Sequence, residues 1–386
     1  MISRPARIKN LSNMKPIPIL ATISLLLAFL CGAVQAAQPF VHPGNWHTQA
    51  DIDRIRTNVA ADKEPWKSAW VAFKDSQAGV DYQPHVQAKV TDSYALQNDG
   101  HAAYCLAVKW MVSGDKKYAA AAIRIINAWT SEVKAIPNDT LRVGLGATKM
   151  VNAAEILRYA DRGAAGWSPE DAGRCEKFFK ELVFPVIKQN GGGGWGTPCL
   201  SALVGIGVFC NDRDIYNLGC KMYLEDRGET DPGCGKSCLK EYVFANGQNG
   251  DSYRDQGHSQ GALAHLGEVC ETAWNQGDDL YGAYDNLLLK GYEYVAKYNL
   301  GYDVEFIPYT DCHGNFKGSI SSAGRGKFSP MYEMIYNHYV NRKGIPAPYT
   351  KMVRDKYAPE VTNGDNAGIG TLTFTREPFT SPKTTR

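Results

Sequence analysis

Apolar side chains recur at helical spacing over most of this chain. Residues 51–76 place Trp66, Trp70 and Phe73 on one side of a predicted helix. Further helical segments are predicted at 95–112, 116–133 and 141–159. Ser168-Pro169-Glu170 is a helix start, with Ser168 as N-cap and Pro169 in the first turn, and this helix runs to about residue 187. Segments at 199–209, 213–225, 252–274, 280–298 and 330–340 complete the set. The links are mostly short and rich in Gly, Asn, Asp or Pro, which makes neighbouring helices antiparallel. No regular β-α-β alternation is present. Two stretches break the pattern: a long irregular loop at 301–327, and the tail GIGTLTFT at 368–375, which reads as a short strand. Helical hairpins in series predict an all-α fold, an incomplete helical barrel or (α/α) toroid, with a plain multi-helix bundle as the alternative.

Composition narrows the setting. The chain has 386 residues, 44% hydrophobic and 21% charged, which is globular and long enough for a large core. A net charge of +2 gives no strong field toward nucleic acid or a membrane surface. Arg4, Arg7, Lys9 and Lys15 precede an apolar run at 17–30, and Val34-Gln35-Ala36 offers small residues for cleavage. Residues 1–36 are therefore expected to be a signal peptide. Residues 37–386 are expected to form one exported domain, periplasmic or secreted, with no membrane segment after cleavage. A lipid anchor at Cys31 is disfavoured by the bulky Phe29 and Leu30 before it. Of the 10 cysteines, Cys31 leaves with the signal, and the remaining nine are odd in number. Cys234 and Cys238 lie in a Gly-rich loop, but no second ligand pair at zinc spacing exists, so no metal is expected. The 8 Trp and 21 Tyr suit a core, and they also suit a sugar-binding cleft.

The stretch GDSYRDQGHSQGALAHL at 250–266 carries two chemical readings. Residues 257–261 match G-x-S-x-G, the nucleophile elbow of serine hydrolases, with Ser259 as nucleophile. That motif needs a hydrophobic strand before the turn, and the preceding residues are polar and turn-forming. The second reading pairs Arg254 with His258, one helical turn apart if a helix begins near Ser252. A guanidinium there would hold a carboxylate bidentately, and an imidazole exchanges protons near neutrality. Upstream, Asn190 precedes four glycines and Trp195, which suggests open backbone amides beside a stacking face. The run lacks the strand and spacing of a dinucleotide fingerprint.

These motifs in this order, NGGGGWGT, RDQGH, GYEYVAKYNLG (291–301) and GRGKFSPMYEMIYNHY (324–339), resemble the alginate lyase superfamily. The similarity is greatest to the alginate and glucuronan lyases of polysaccharide lyase family thirty-eight. It spans roughly residues 46–339, including Gly114-Asp115 and Ala128-Trp129. The resemblance implies an (α/α) toroid and β-elimination on β-1,4-linked uronate polymers, without a metal or organic cofactor. The chain departs from some relatives in two places. Gly192 stands where they carry a histidine, and Gly261 stands about where they carry a tyrosine.

On this reading Asn190 and Arg254 neutralise the sugar carboxylate. His258 and a tyrosine then move the protons. Antiparallel packing of 252–274 and 280–298 brings Tyr298 toward Arg254 and His258, with Tyr253, Tyr302 and Tyr309 as competitors. Trp195, Tyr253, Gln256, His313 and Arg325 are the expected substrate-binding residues. The expected partner is an acidic polysaccharide and not nucleic acid. Oligomeric state is not legible. The alternatives are a serine hydrolase, a non-catalytic sugar-binding protein, and a glycoside hydrolase using two of Asp251, Asp255 and Glu268.

Overall fold

The computed structural model describes residues 38–225, 237–311 and 314–378. The expected signal peptide, Cys31, Cys234 and His313 lie outside these described residues.

Two layers of helix organise the chain. The inner layer consists of α3 (Tyr94–Ser113), α5 (Thr140–Tyr159), α7 (Gly193–Phe209) and α10 (Gln256–Asn275), each packed on the next. These helices are buried on nearly every side, so they are not amphipathic. The outer layer contains α4 (Lys116–Glu132), α6 (Pro169–Phe178), α8 (Arg213–Leu224) and α11 (Ala283–Asn299). In α4 the buried positions Ala119, Ala122, Ile126 and Trp129 form one stripe, and the other face is wet. The helix α6 continues through a π turn to Ile187, and Ser168 caps it by accepting the Asp171 N–H at 3.1 Å. Inner and outer helices alternate along the chain, which is the incomplete (α/α) toroid. Close approach of α3 and α5 depends on glycine, since a Cβ on Gly100 would lie 2.4 Å from the Gly146 carbonyl oxygen.

The predicted 51–76 segment is two helices, α1 (Gln49–Ala60) and α2 (Trp66–Lys74). Asp62 at φ 54° and Pro65 interrupt the backbone between them. Further helices are α9 (Leu239–Tyr242), α12 (Tyr332–Tyr336), which continues through a π turn to Arg342, α13 (Pro348–Tyr357) and α14 (Gly370–Thr373), with a 3-10 turn at Ala160–Arg162 after α5. The 301–327 stretch is irregular as expected, except where β1 (Tyr309–Thr310) joins the antiparallel β2 (Phe316–Lys317). The tail is not a strand. Its threonines bond back along a helical turn, Thr373 Oγ1 to the Ile369 carbonyl and Thr375 Oγ1 to the Thr371 carbonyl. All of 367–375 is buried, so the alternation of polar and apolar letters does not mark two faces.

That tail closes the ring against its beginning. The α14 turn packs on α1, α2 and α12. Arg376 donates to Asp51 at 2.6 Å, Arg54 donates to the Thr373 carbonyl at 2.9 Å, and Arg54 also pairs with Asp51. Glu271 of α10 joins them, bonded twice by Arg342 at 2.8 Å. Burial pushes the Glu271 carboxyl up, but Arg342 and Arg376 outweigh it and hold it at about 2. Residues Phe40–Arg386 form one compact unit. Among the described residues no helix is long and apolar enough to cross a membrane.

Candidate active site

The inner helices begin at the same end of the ring. Arg142 of α5 bonds Gln97 and Tyr94 of α3, Cys199 of α7 bonds the Thr140 carbonyl of α5, and Gly194 of α7 abuts Asp251 just before α10. A cleft of about 330 Å³ opens among these helix heads. Leu141, Arg142 and Leu145 line it from α5, and Gly194 and Trp195 from α7. His258, Gly261, Ala262 and His265 line it from α10, at i, i+3, i+4 and i+7 of one helix face. Asn363, Asp365 and Asn366 form a wall. Converging helix N-termini favour an anion here.

His258 is the best-formed chemical group in this cleft. Asp255 is the N-cap of α10 and divides its carboxylate between two bonds. One oxygen accepts the His258 backbone N–H at 2.8 Å, and the other contacts the His258 ring Nδ1 at 2.6 Å. With Nδ1–H donated to Asp255, Nε2 is left to accept a proton. Burial pushes the Asp255 carboxyl up, but the two His258 bonds and the Arg254 charge bring it below the ordinary carboxylate range. His265 lies two turns further along, its Nδ1 3.2 Å from Glu268, which also accepts from Ser201 and from the Ala367 N–H. The acids facing the cleft are not bare. Asp251 accepts the Tyr242 hydroxyl at 2.7 Å and Asp365 accepts the Gln97 amide at 2.7 Å.

The helix begins at Gln256 rather than near Ser252, so Arg254 and His258 are not neighbours on one helix. Arg254 sits in the preceding turn, half-exposed, 3.8 Å from Asp255. Only half of the glycine run stays outside a helix: Gly191 and Gly192 precede α7, with Gly192 as its N-cap at φ 70°, and Gly193 and Gly194 open its first turn. A Cβ on Gly194 would lie 2.3 Å from Asp251, and one on Gly196 would lie 1.6 Å from Asn190. These glycines let the helix head pack tightly. Trp195, 51% exposed, does line the cleft. Asn190 does not: its Oδ1 accepts from the Gly192 N–H and the Ser237 hydroxyl, tying down the turn before α7.

The antiparallel return of α11 is as expected, since Asn299 donates to Gln256 at 2.9 Å. Tyr298, however, is only 5% exposed, lies outside the cleft lining, and stacks under the Arg325 guanidinium at 4.0 Å. Arg325 is itself used up capping α11, donating to the Tyr298 and Tyr302 carbonyls. Gln256 is buried and clamps Ser321 and Asn299. Tyr253 packs against Lys317 and Tyr309. Three groups escaped the sequence reading: the Asp255–His258 dyad, Arg142, and the 363–366 wall. The dyad has a readable signal, an N-capping Asp three residues before a histidine. The wall has none, because it comes from about a hundred residues downstream of α10.

Ser259 is fully buried and its hydroxyl has no partner, with no strand before it, so it cannot act as an exposed nucleophile. Among the described residues no group of three or more His, Cys, Asp or Glu is placed to hold a metal ion.

A family model described as alginate lyase matches residues 54–305. Among solved structures, an alginate lyase from Bacteroides ovatus superposes with a TM-score of 0.55 at 12% identity, covering 87% of this chain and 100% of that one. Alginate lyase A1-III from Sphingomonas species A1 gives 0.56 at 14% identity, covering 87% and 97%. A histidine-to-alanine variant of alginate lyase A1-III complexed with a tetrasaccharide gives 0.60 at 14% identity, with the same coverage. A search of curated proteins by sequence gives no match.

Proposed function

The chain belongs to the alginate lyase family and is a polysaccharide lyase, and from that premise we propose that its substrate is a β-1,4-linked polymannuronate or glucuronan, cleaved at the helix-head cleft. The observation that carries the site assignment is His258, oriented by Asp255 and opening into a cleft toward which helix N-termini converge. Elimination requires loss of the proton on C5, next to the sugar carboxylate, and departure of the oxygen on C4. The partial positive charge of the helix heads stabilises the carboxylate as negative charge builds on it, and the half-exposed Arg254 guanidinium, outside the cleft lining in the turn before α10, adds to that field. His258 Nε2 takes the C5 proton, the C–H electrons form the C4=C5 double bond, and the C4–O4 bond breaks. In β-linked glucuronate or mannuronate the C5 proton and O4 lie on the same side of the ring. The same imidazolium therefore returns its proton to O4. The products are a chain with an unsaturated uronate at its new end and a chain with a free reducing end.

Tyr298, proposed from sequence to carry these protons, is better read as a support for Arg325, and Asn190 as a turn cap. Trp195 offers the sugar a stacking face. The serine-hydrolase reading fails on the burial of Ser259. Of the acids a glycoside hydrolase would use, Glu268 is buried under His265, and Asp255 is committed to His258. Export by the signal-like segment at 1–36 is part of the same proposal, resting on its charge and apolar pattern.

The test is incubation with polyglucuronate and with polymannuronate, following the ultraviolet absorbance of the unsaturated product. The expected result is absorbance growth with at least one polymer, abolished by His258→Gln. Hydrolytic products without absorbance on every uronate polymer would refute the proposal.

A further inference from the structure

We propose that Arg142 and Tyr94 form a second carboxylate subsite in this cleft, one that holds a uronate flanking the residue being cleaved. The inference rests on the polyuronate reading above. Arg142 projects from the first turn of α5 into the cleft. Its guanidinium is fixed by neutral partners alone: it donates to Gln97 Oε1 at 2.8 Å and to the Tyr94 hydroxyl at 2.8 Å, and it stacks on the Tyr94 ring at 4.0 Å. Among the described residues no carboxylate is within ion-pair distance of it. Asp365 is held one step away, because the Gln97 amide that accepts from Arg142 donates its other end to Asp365. A guanidinium has five N–H donors sharing one delocalised positive charge, so with neutral acceptors on two of them the charge is uncompensated and the remaining donors are open to a ligand. Arg54, Arg342 and Arg376, by contrast, are each paired with Asp51 or Glu271. An arginine preset by neutral acceptors at an anion-favouring helix head is built to receive a carboxylate from outside.

Its place in the ring says which carboxylate. The helix α7 packs between α5 and α10, so Arg142 and His258 stand on helices separated by more than one neighbour spacing of about 8–10 Å. That arrangement puts Arg142 beside a neighbouring residue of the polymer, on the far side of the α7 head from His258. Trp195, on the intervening helix, is positioned to stack a ring between the two ends. Arg142 therefore recognises a second acidic residue of the polymer, and the cleft selects runs of consecutive uronates over polymers in which uronates alternate with neutral sugars.

The experiment measures binding in the His258→Gln background, where turnover does not interfere. Oligoglucuronates and oligomannuronates of defined length, with free and with methyl-esterified carboxyls, are titrated by calorimetry. Adding Arg142→Gln is expected to weaken binding of the longer free-acid oligomers about tenfold, the loss of one charge-assisted contact. Dimers and esterified oligomers should be unaffected. In the active chain, the same substitution should raise KM on polymer far more than it lowers kcat. Tyr94→Phe, which keeps the ring and removes one acceptor, should give a smaller loss of the same length dependence, and it serves if Arg142→Gln fails to fold. Equal affinities for the variant and its parent, or a loss that persists on esterified oligomers, would overturn the subsite. So would the absence of binding to any oligouronate. The lyase reading is scored separately, by turnover of the unaltered chain.

Discussion

Asp255→Asn separates the two tasks this side chain performs. One carboxylate oxygen caps α10 through the His258 N–H at 2.8 Å, and the other holds the imidazole at 2.6 Å. Asparagine caps helices about as well as aspartate, so the first task survives. The second does not, because a neutral amide neither stabilises an imidazolium nor selects the Nδ1–H tautomer as strongly. A hydrogen bond to a charged group contributes about 1.5–3 kcal/mol. At about 1.4 kcal/mol per factor of ten, kcat should fall about 10- to 100-fold. The assay is the absorbance of the unsaturated product on the preferred polymer, beside thermal unfolding of the same samples. The melting temperature should be nearly unchanged. Undiminished turnover would refute the role given to the dyad, and a loss matched by general unfolding would refute its separation from the cap.

Other substitutions probe the rest of the molecule. Ser259→Ala removes a buried hydroxyl that has no partner, so activity should persist and stability should rise by up to about 1 kcal/mol; lost activity would revive the hydrolase reading. His338 is stacked on Tyr281, and burial, with Arg342 nearby, lowers its pKa to about 3 against the pull of Glu271. The folded imidazole stays neutral while the unfolded one gains a proton below its ordinary 6.5, so stability falls as pH drops from there toward 3. His338→Gln should flatten urea-measured stability against pH by about 1.4 kcal/mol per pH unit between those limits. Arg376→Ala leaves Asp51 and Glu271 short of one cation each and should cost about 3 kcal/mol in the same assay. A loss below about 0.5 kcal/mol would mean that this network adds no more than a surface pair.

Most of the helical layout was legible because long segments such as α3 and α5 carry dense apolar content between clear caps. Gly114 ends one, and Asp139 begins the other. What escaped was local chemistry overruled by packing. Four glycines at 191–194 suggest a loop, yet the last two open α7, packed closely on Asp251 and bonded by Ser237. The threonines at 371, 373 and 375 suggest a strand, yet Thr373 and Thr375 bond backbone carbonyls four residues earlier, and Thr371 bonds the Glu333 carboxylate, with everything around them buried. Within the site, His258 and Trp195 were readable from residue type and neighbours. Arg142 was not, since its meaning comes from Gln97 and Tyr94, some forty-five positions earlier. Tyr298 was placed at the right end of α11 but inside its packing, a distinction spacing alone does not make.

The clasp between α1 and the last turn sets an order on biosynthesis. Asp51 and Arg376 are 325 positions apart. At about 5–20 residues per second, the first helix waits roughly 16–65 s for its partner to be made. Through that interval the Asp51 carboxylate has only its own helix start, the Thr48 N–H and hydroxyl and the Arg54 guanidinium, and the seam it will seal stands open to solvent. The nascent chain is therefore exposed to proteases and to wrong partners until Arg376 emerges, and a premature stop at or before codon 376 would release an unsealed ring.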